Sequence, residues 1–290
     1  MGISVGAALA LELWPLNMNR RLVFVTSLVL SLTSCALTAK GLTAMHDLIA
    51  NQLLNVPATD FFDDRNDAQL ADAAGHGNLD RAQQLLAQGA NANAAGRRAM
   101  TPLLWTMGKR NIEGFRFLLD HGADANSVTC CDDKALGMVH KLSAMGLAAR
   151  IENSTYLEEL LDHKGDPNLI IDELNDTPIF STLLDRRDEN ARLLVQHGAN
   201  LNLQTAMSRM TPLLEAVYQT NYEMALLLLR ANADPTIKNK WNISVVDHVK
   251  KNGNRGVQVL RIPRDVTAYD EFVEELKRSG LLDADPPHFP

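Results

Sequence analysis

Over residues 67 to 252 the apolar positions fall into short paired runs, separated by polar punctuation that returns at a near-constant interval. One pair, residues 101 to 109 and 112 to 120, has helical patterning on either side of a tight turn, which predicts two short helices. The punctuation has two components. A loop motif appears as Gly89-Ala90-Asn91-Ala92-Asn93 and returns as Gly122-Ala123-Asp124-Ala125-Asn126, as Lys164-Gly165-Asp166-Pro167-Asn168, as Gly198-Ala199-Asn200-Leu201-Asn202, and as Asn232-Ala233-Asp234-Pro235, at spacings of 33, 42, 34 and 34. A second marker runs in phase: Thr101-Pro102-Leu103-Leu104, Lys134-Ala135-Leu136, Thr177-Pro178-Ile179, Thr211-Pro212-Leu213-Leu214 and Ser244-Val245-Val246.

Both markers have mechanical reasons. A Thr hydroxyl caps a free backbone N–H, and Pro at the first helical position brings a preset φ without wasting a donor, so Thr-Pro opens a helix. Gly closes one, because the left-handed residue after a helix is tolerated best without a β-carbon. Asn232 takes that geometry with modest strain, and Lys164 is less suited to it.

Period and phased markers together resemble the ankyrin repeat, whose unit is about 33 residues with a Thr-Pro-Leu-His motif. The resemblance implies an all-α solenoid of helix-turn-helix units with hairpin fingers, working as a non-enzymatic protein-binding module. Leu104, Phe180 and Leu214 stand where the family carries His, so apolar packing is expected to replace that hydrogen bond. Residues 67–93 form an N-terminal unit without Thr-Pro, its helices including Leu70, Ala73 and Ala74, then Leu85 and Leu86. Residues 244–251 begin a partial closing unit, and a further helix near 270–278 would cover the exposed end, as repeat stacks require. The third unit is irregular. From Lys134 to Thr177 its markers stand 43 residues apart, and the surplus is placed around residues 143 to 155, with a first helix to about Arg150 and a cap at Asn153-Ser154-Thr155.

The first forty residues read as an address. Arg20 and Arg21 precede an apolar run from 22 to 32, which ends in Leu32-Thr33-Ser34-Cys35. Eleven helical residues rise about 16 Å at roughly 1.5 Å each, short of the roughly 30 Å hydrocarbon core, so the run fits a secretory signal and not a spanning helix. The box resembles that of bacterial lipoproteins, which implies lipidation at Cys35 and, with Ala36 following, delivery to the periplasmic face of the outer membrane. The stretch ahead of Met18 fits no signal pattern, so the start falls at Met1 or at Met18. The expected organisation is thus 1–35 extension and signal, 36–66 tether with a helical pattern near 43–54, 67–252 repeats, and 253–290 capping helix and tail.

Composition narrows the function. The 290 residues carry 28 Lys and Arg against 35 Asp and Glu, net −7, so no broad positive field draws in phosphate backbones and nucleic acid is not an expected partner. Three cysteines cannot form a disulfide framework. No His-Glu-x-x-His helix, Gly-x-Ser-x-Gly elbow or glycine-rich phosphate loop occurs, and His121, His163 and His197 recur with the period, so no catalytic residue, metal site or cofactor is assigned. Cys130 and Cys131 are adjacent in the hairpin between the second and third units. Their alternatives are a strained vicinal disulfide, or reduced or crosslinked thiols.

The concave surface remains for binding. Aligning the units places Asp72, Trp105, Met138, Ser181 and Glu215 one per repeat on the inner helices, as a ladder facing the fingers, with Trp105 either the binding anchor or core. Fingertips Arg97, Arg98, Asp132, Asp133, Glu173, Arg209, Lys240 and Trp241 would complete the patch. Exported ankyrin lipoproteins with this layout resemble immunity proteins that neutralise lipase effectors delivered to the periplasm by type VI secretion, which implies a toxin as partner. An adaptor or chaperone for an envelope enzyme is the alternative role.

Overall fold

A computed structural model describes residues 57–97, 100–133, 138–171, 176–253, 263–283 and 286, with backbone only over 130–133, 138–141 and 263–266. All of them belong to the compact unit Leu53–Pro290. The signal run, Cys35 and the helical pattern near 43–54 lie outside the described residues.

Helices come in pairs. The first pair is α1 (Arg65–Gly75) and α2 (Leu79–Ala87), the second α3 (Pro102–Gly108) and α4 (Ile112–Asp120). After a β-hairpin of β1 (Val128–Asp133) and β2 (Met138–Ser143) come α5 (Ala144–Arg150) with α6 (Thr155–Asp162), α7 (Pro178–Leu184) with α8 (Asp188–Gln196), α9 (Pro212–Tyr218) with α10 (Tyr222–Arg230), and α11 (Val245–Asn252). The last described helix, α12 (Pro263–Arg278), begins earlier than its sequence pattern suggests. It packs on the outer helix α10 through Tyr269 and Phe272 against Tyr222, and so takes the outer place of a sixth pair behind α11.

The helix starts follow the marker chemistry, with one exception. Thr101 and Thr211 hydroxyls accept from Leu104 and Leu214 N–H at 3.2 Å, and Ser244 forms a capping box with Asp247. Thr177 makes no capping bond, and among the described residues its buried hydroxyl has no partner. Leu104, Phe180 and Leu214, the residues in the consensus His position, are all buried, as apolar packing requires.

The third unit corrects the expected placement of its surplus. Lys134-Ala135-Leu136 lies outside the described residues, and α5 opens at Ser143, whose hydroxyl accepts from Gly146 N–H at 3.0 Å. From Ser143 to Thr177 is 34 residues, an ordinary interval, so the extra length sits in the β1–β2 finger. The ladder there is regular and antiparallel, pairing Val128 with Ser143, Cys130 with Lys141 and Cys131 with His140. Helix α5 then ends without a left-handed residue, Ile151 being extended. Its last carbonyls are met from the next unit: Asn190 Nδ2 lies 3.1, 3.0 and 2.7 Å from the Ala148, Ala149 and Ile151 oxygens, and Arg187 Nε donates to the Arg150 carbonyl.

The loops lock the stack together. At the start of each loop Gly89, Gly122, Gly198, Lys164 and Asn232 have φ between 65° and 91°. Four residues on, Asn side chains bridge neighbours. Asn93 donates to the Gly122 carbonyl and accepts from Asp124 N–H, at 2.8 and 2.7 Å. Asn126 does the same to Lys164 and Asp166, and Asn168 to Gly198 and Asn200. Each such bond contributes roughly 1 kcal/mol, repeated along the row. This is why Asn recurs there while flanking residues vary.

Candidate functional site

The inner helices and the finger loops form the surface available to a partner, and its two ends differ. Toward the N-terminal units it is closed. Trp105 on α3 is 0% exposed; its ring lies 5.5 Å from Phe61 and 4.6 Å beneath Lys109 Nζ, against the α1 backbone at Gly75. Burial pulls the Lys109 ammonium below its usual range, with Asp72 opposing. Trp105 is therefore core and not an exposed anchor. The Phe61 that covers it stands in the stretch assigned by sequence to the tether, and α1 itself begins at Arg65, ahead of the expected boundary.

The ladder needs two further corrections. Ser181 is buried at 7% exposure, because the inner helices of neighbouring units close over it. Met138 lies in β2 and not on a helix; the equivalent place in the third unit is held by Leu147, half-buried on α5. Asp72 and Glu215 are half-buried. Asp72 Oδ1 lies 3.4 Å from His76 Nδ1, and Glu215 accepts from Gln219 Nε2 at 2.8 Å.

Of the fingertip residues, Arg97 is exposed and paired with Asp63, and Arg209, Lys240 and Trp241 are exposed. Arg98 and Glu173 lie outside the described residues. Asp132 and Asp133 lie in β1, with Cys130 and Cys131. That placement counts against a vicinal disulfide: the bond demands a turn between neighbours, and the backbone here is extended and paired residue by residue.

Toward the C-terminal units the surface opens. Among the described residues the large apolar side chains left exposed are Ile170, Leu184, Met207, Tyr218 and Trp241. Every one is on a finger loop or at the last turn of an inner helix, and none is on an outer helix. Leu184 and Tyr218 follow the ladder residues Ser181 and Glu215 by three, which puts them on the same helical stripe. Reading one position per repeat missed them; reading the stripe would have found them.

The repeats themselves are shared with known proteins. A family model of ankyrin repeats, in three copies, matches residues 141–239. An ankyrin repeat protein of fowlpox virus (strain NVSL), FPV230, is 31% identical over 180 residues, which is 61% of this chain and 89% of the viral protein. The chain belongs to the ankyrin-repeat proteins. The ankyrin repeat and KH domain-containing protein mask-1 of Caenorhabditis elegans is 29% identical over 224 residues, 77% of this chain, which spans only 8% of that relative.

Ankyrin repeats are protein-binding modules, and four of the histidines here serve the scaffold. His76, His121, His163 and His197 each follow the last residue of a helix, with Nδ1–H donating to the carbonyl four residues back at 2.7 to 2.9 Å. Among the described residues no three metal-ligating side chains converge. A cleft between α8, α10 and α12 is lined by Arg192, Glu223, Arg230 and Glu271, with Arg230 already paired to Glu271 at 3.3 Å and Glu275 at 3.8 Å. The open apolar surface on the concave side is thus the candidate site.

Proposed function

We propose that this ankyrin protein is a non-catalytic binding module held at the bacterial envelope by a lipid on Cys35, where it neutralises a lipase effector acting in the periplasm. The observation that carries the binding part is that, among the described residues, the exposed large apolar side chains are confined to the fingers and inner helices of units three to five. Isolated exposed residues are ordinary on any protein; their collection on one face marks an interaction surface. The envelope part is supported by the Arg20-Arg21, apolar-run and Cys35 order, and the immunity part by the resemblance to exported ankyrin lipoproteins.

Two experiments test it. Cells given radiolabelled palmitate should label the wild-type chain and not Cys35→Ala; equal or absent labelling of both sinks the anchor. Co-expression with a lipase effector encoded beside it should restore viability through a stable complex, and no rescue with no complex sinks the immunity role.

A further inference from the structure

The fourth and fifth finger loops, residues 203–211 and 236–244, contain Arg209, Lys238 and Lys240 and no Asp or Glu, in a chain whose net charge is −7. They are joined into one platform. Lys240 N–H donates to the Ser208 carbonyl at 3.1 Å, and Gln204 Nε2 donates to the Arg209 and Lys238 carbonyls at 2.6 and 3.0 Å. The buried Asn239 side chain accepts from Trp241 and Ile243 N–H at 3.0 and 3.1 Å. The fixed turn therefore holds Trp241 out at 58% exposure, with Met207 at 67% on the adjoining loop.

The charges beside these apolar groups are available. Lys238 lies 3.7 Å from Asp247, but among the described residues Arg209 and Lys240 make no ion pair, the Arg209 guanidinium donating only to the neutral Gln204 Oε1 at 3.2 Å. Lys240 Nζ instead sits 4.6 Å over the Trp241 ring, so a cation and an indole form one composite surface. On the floor below, Leu184 and Tyr218 end α7 and α9, about 10 Å along the helix axis from the finger end of seven-residue helices.

We propose that this platform takes an acidic segment of a partner protein, whose carboxylates meet Arg209 and Lys240 while one apolar side chain covers Met207 and Trp241 and a second reaches Leu184 and Tyr218. The assignment rests on the protein-binding reading above and is independent of the anchor and the toxin. Charge complementarity selects acidic over basic partners, since like charges brought together at an interface are strongly disfavoured. A flat anionic membrane would touch the fingertips but not the recessed floor at the same time, so a protein segment fits better.

The test is selection of a random peptide library displayed on phage against the full chain, followed by titration of the recovered peptides by fluorescence polarisation. Recovered peptides should be rich in Asp and Glu around aromatic or Leu residues. Their affinity should fall about tenfold in the double variant R209E/K240E and about as much in Trp241→Ala, and stay unchanged in the convex-face control Arg192→Glu, all with wild-type circular dichroism. Basic or neutral peptides, no recovered peptides, or indifference to the finger variants would overturn the proposal. So would sedimentation with phosphatidylglycerol vesicles that depends on Trp241 where peptide binding does not. Peptides or a partner protein binding elsewhere on the chain would overturn this platform alone, whereas a chain that binds no protein at all would also end the reading of the module.

Discussion

Gly114 on α4 and Ala74 on α1 meet backbone to backbone: a β-carbon built on Gly114 would stand 1.9 Å from the Ala74 carbonyl oxygen. An outer helix is here pressed onto the inner helix of the preceding unit with no side chain between them. In an exposed helix interior, Gly to Ala typically gains about 1 kcal/mol. At this place the sign inverts, because a backbone oxygen cannot swing aside as a side chain can. Gly114→Ala should lower stability by roughly 1–3 kcal/mol, read as a lower urea midpoint at unchanged slope. A raised midpoint would mean that the two helices can separate freely.

Lys164 and Gly165 are a second such place, with Gly one position later than in the Gly-Ala loops. Lys164 has φ 65°, the left-handed value that Gly takes in three other loops, while a β-carbon on Gly165 would lie 2.4 Å from Met145 Cε and 2.6 Å from the Leu160 carbonyl oxygen. The Gly is therefore spent on close approach, and Lys bears the backbone cost. Lys164→Gly should stabilise by up to about 1 kcal/mol, and Gly165→Ala should destabilise by more than that. Denaturation of the two single variants checks both signs.

This displaced Gly shows how far the sequence could be read. Thr-Pro and Gly-Ala markers place helix starts and ends, because caps and left-handed residues act over three or four positions and leave local signatures. The same markers misplaced the third unit. Its first helix is capped by Ser143, which carries no Pro after it and so lacks the marker, and part of what reads as helix in the sequence is the β2 strand of the finger. Burial was the harder quantity. Trp105 and Ser181 occupy equivalent places to the half-buried Asp72 and Glu215, and what separates them is coverage by Phe61, Lys109 and the neighbouring helices. Such coverage comes from residues remote in sequence and leaves no periodic trace. Leu184 and Tyr218 are legible, since they lie three residues beyond Ser181 and Glu215 on the same helical stripe.

Trp105 yields a prediction that separates its two sequence readings, binding anchor and core. Because the indole is fully buried, Trp105→Ala should cost about 3–5 kcal/mol and reduce helical content, with binding lost only in proportion to the unfolded fraction. Circular dichroism and a urea titration measure the first, and a binding isotherm corrected for folded protein the second. Full stability with weakened binding would return Trp105 to the partner surface.

Two histidines should move stability in opposite directions with pH. His163 Nε2 lies 3.0 Å from Asp120 Oδ1 across the α4 and α6 outer helices. This hydrogen bond raises its pKa above the usual value; partial burial opposes the shift, while the bond to the Glu159 carbonyl and the charges of Asp120 and Glu159 support it. A raised folded pKa gives stability that is complete below about 6.5, the ordinary histidine value, and is lost as pH climbs through the folded value. His248 is the converse. Burial, aided by Lys251, lowers its pKa, and its ring packs 4.7 Å from Tyr218 with Asn252 Nδ2 3.3 Å from Nδ1, where a neutral imidazole can accept. Its contribution is complete above about 6.5 and is lost as pH falls through the folded value. Urea midpoints of His163→Gln should therefore decline less than wild type on the alkaline side of that point, and those of His248→Gln less on the acid side. Proton NMR titration of the two imidazoles reads the same shifts directly, and a His163 that titrates below His248 would contradict both geometries at once.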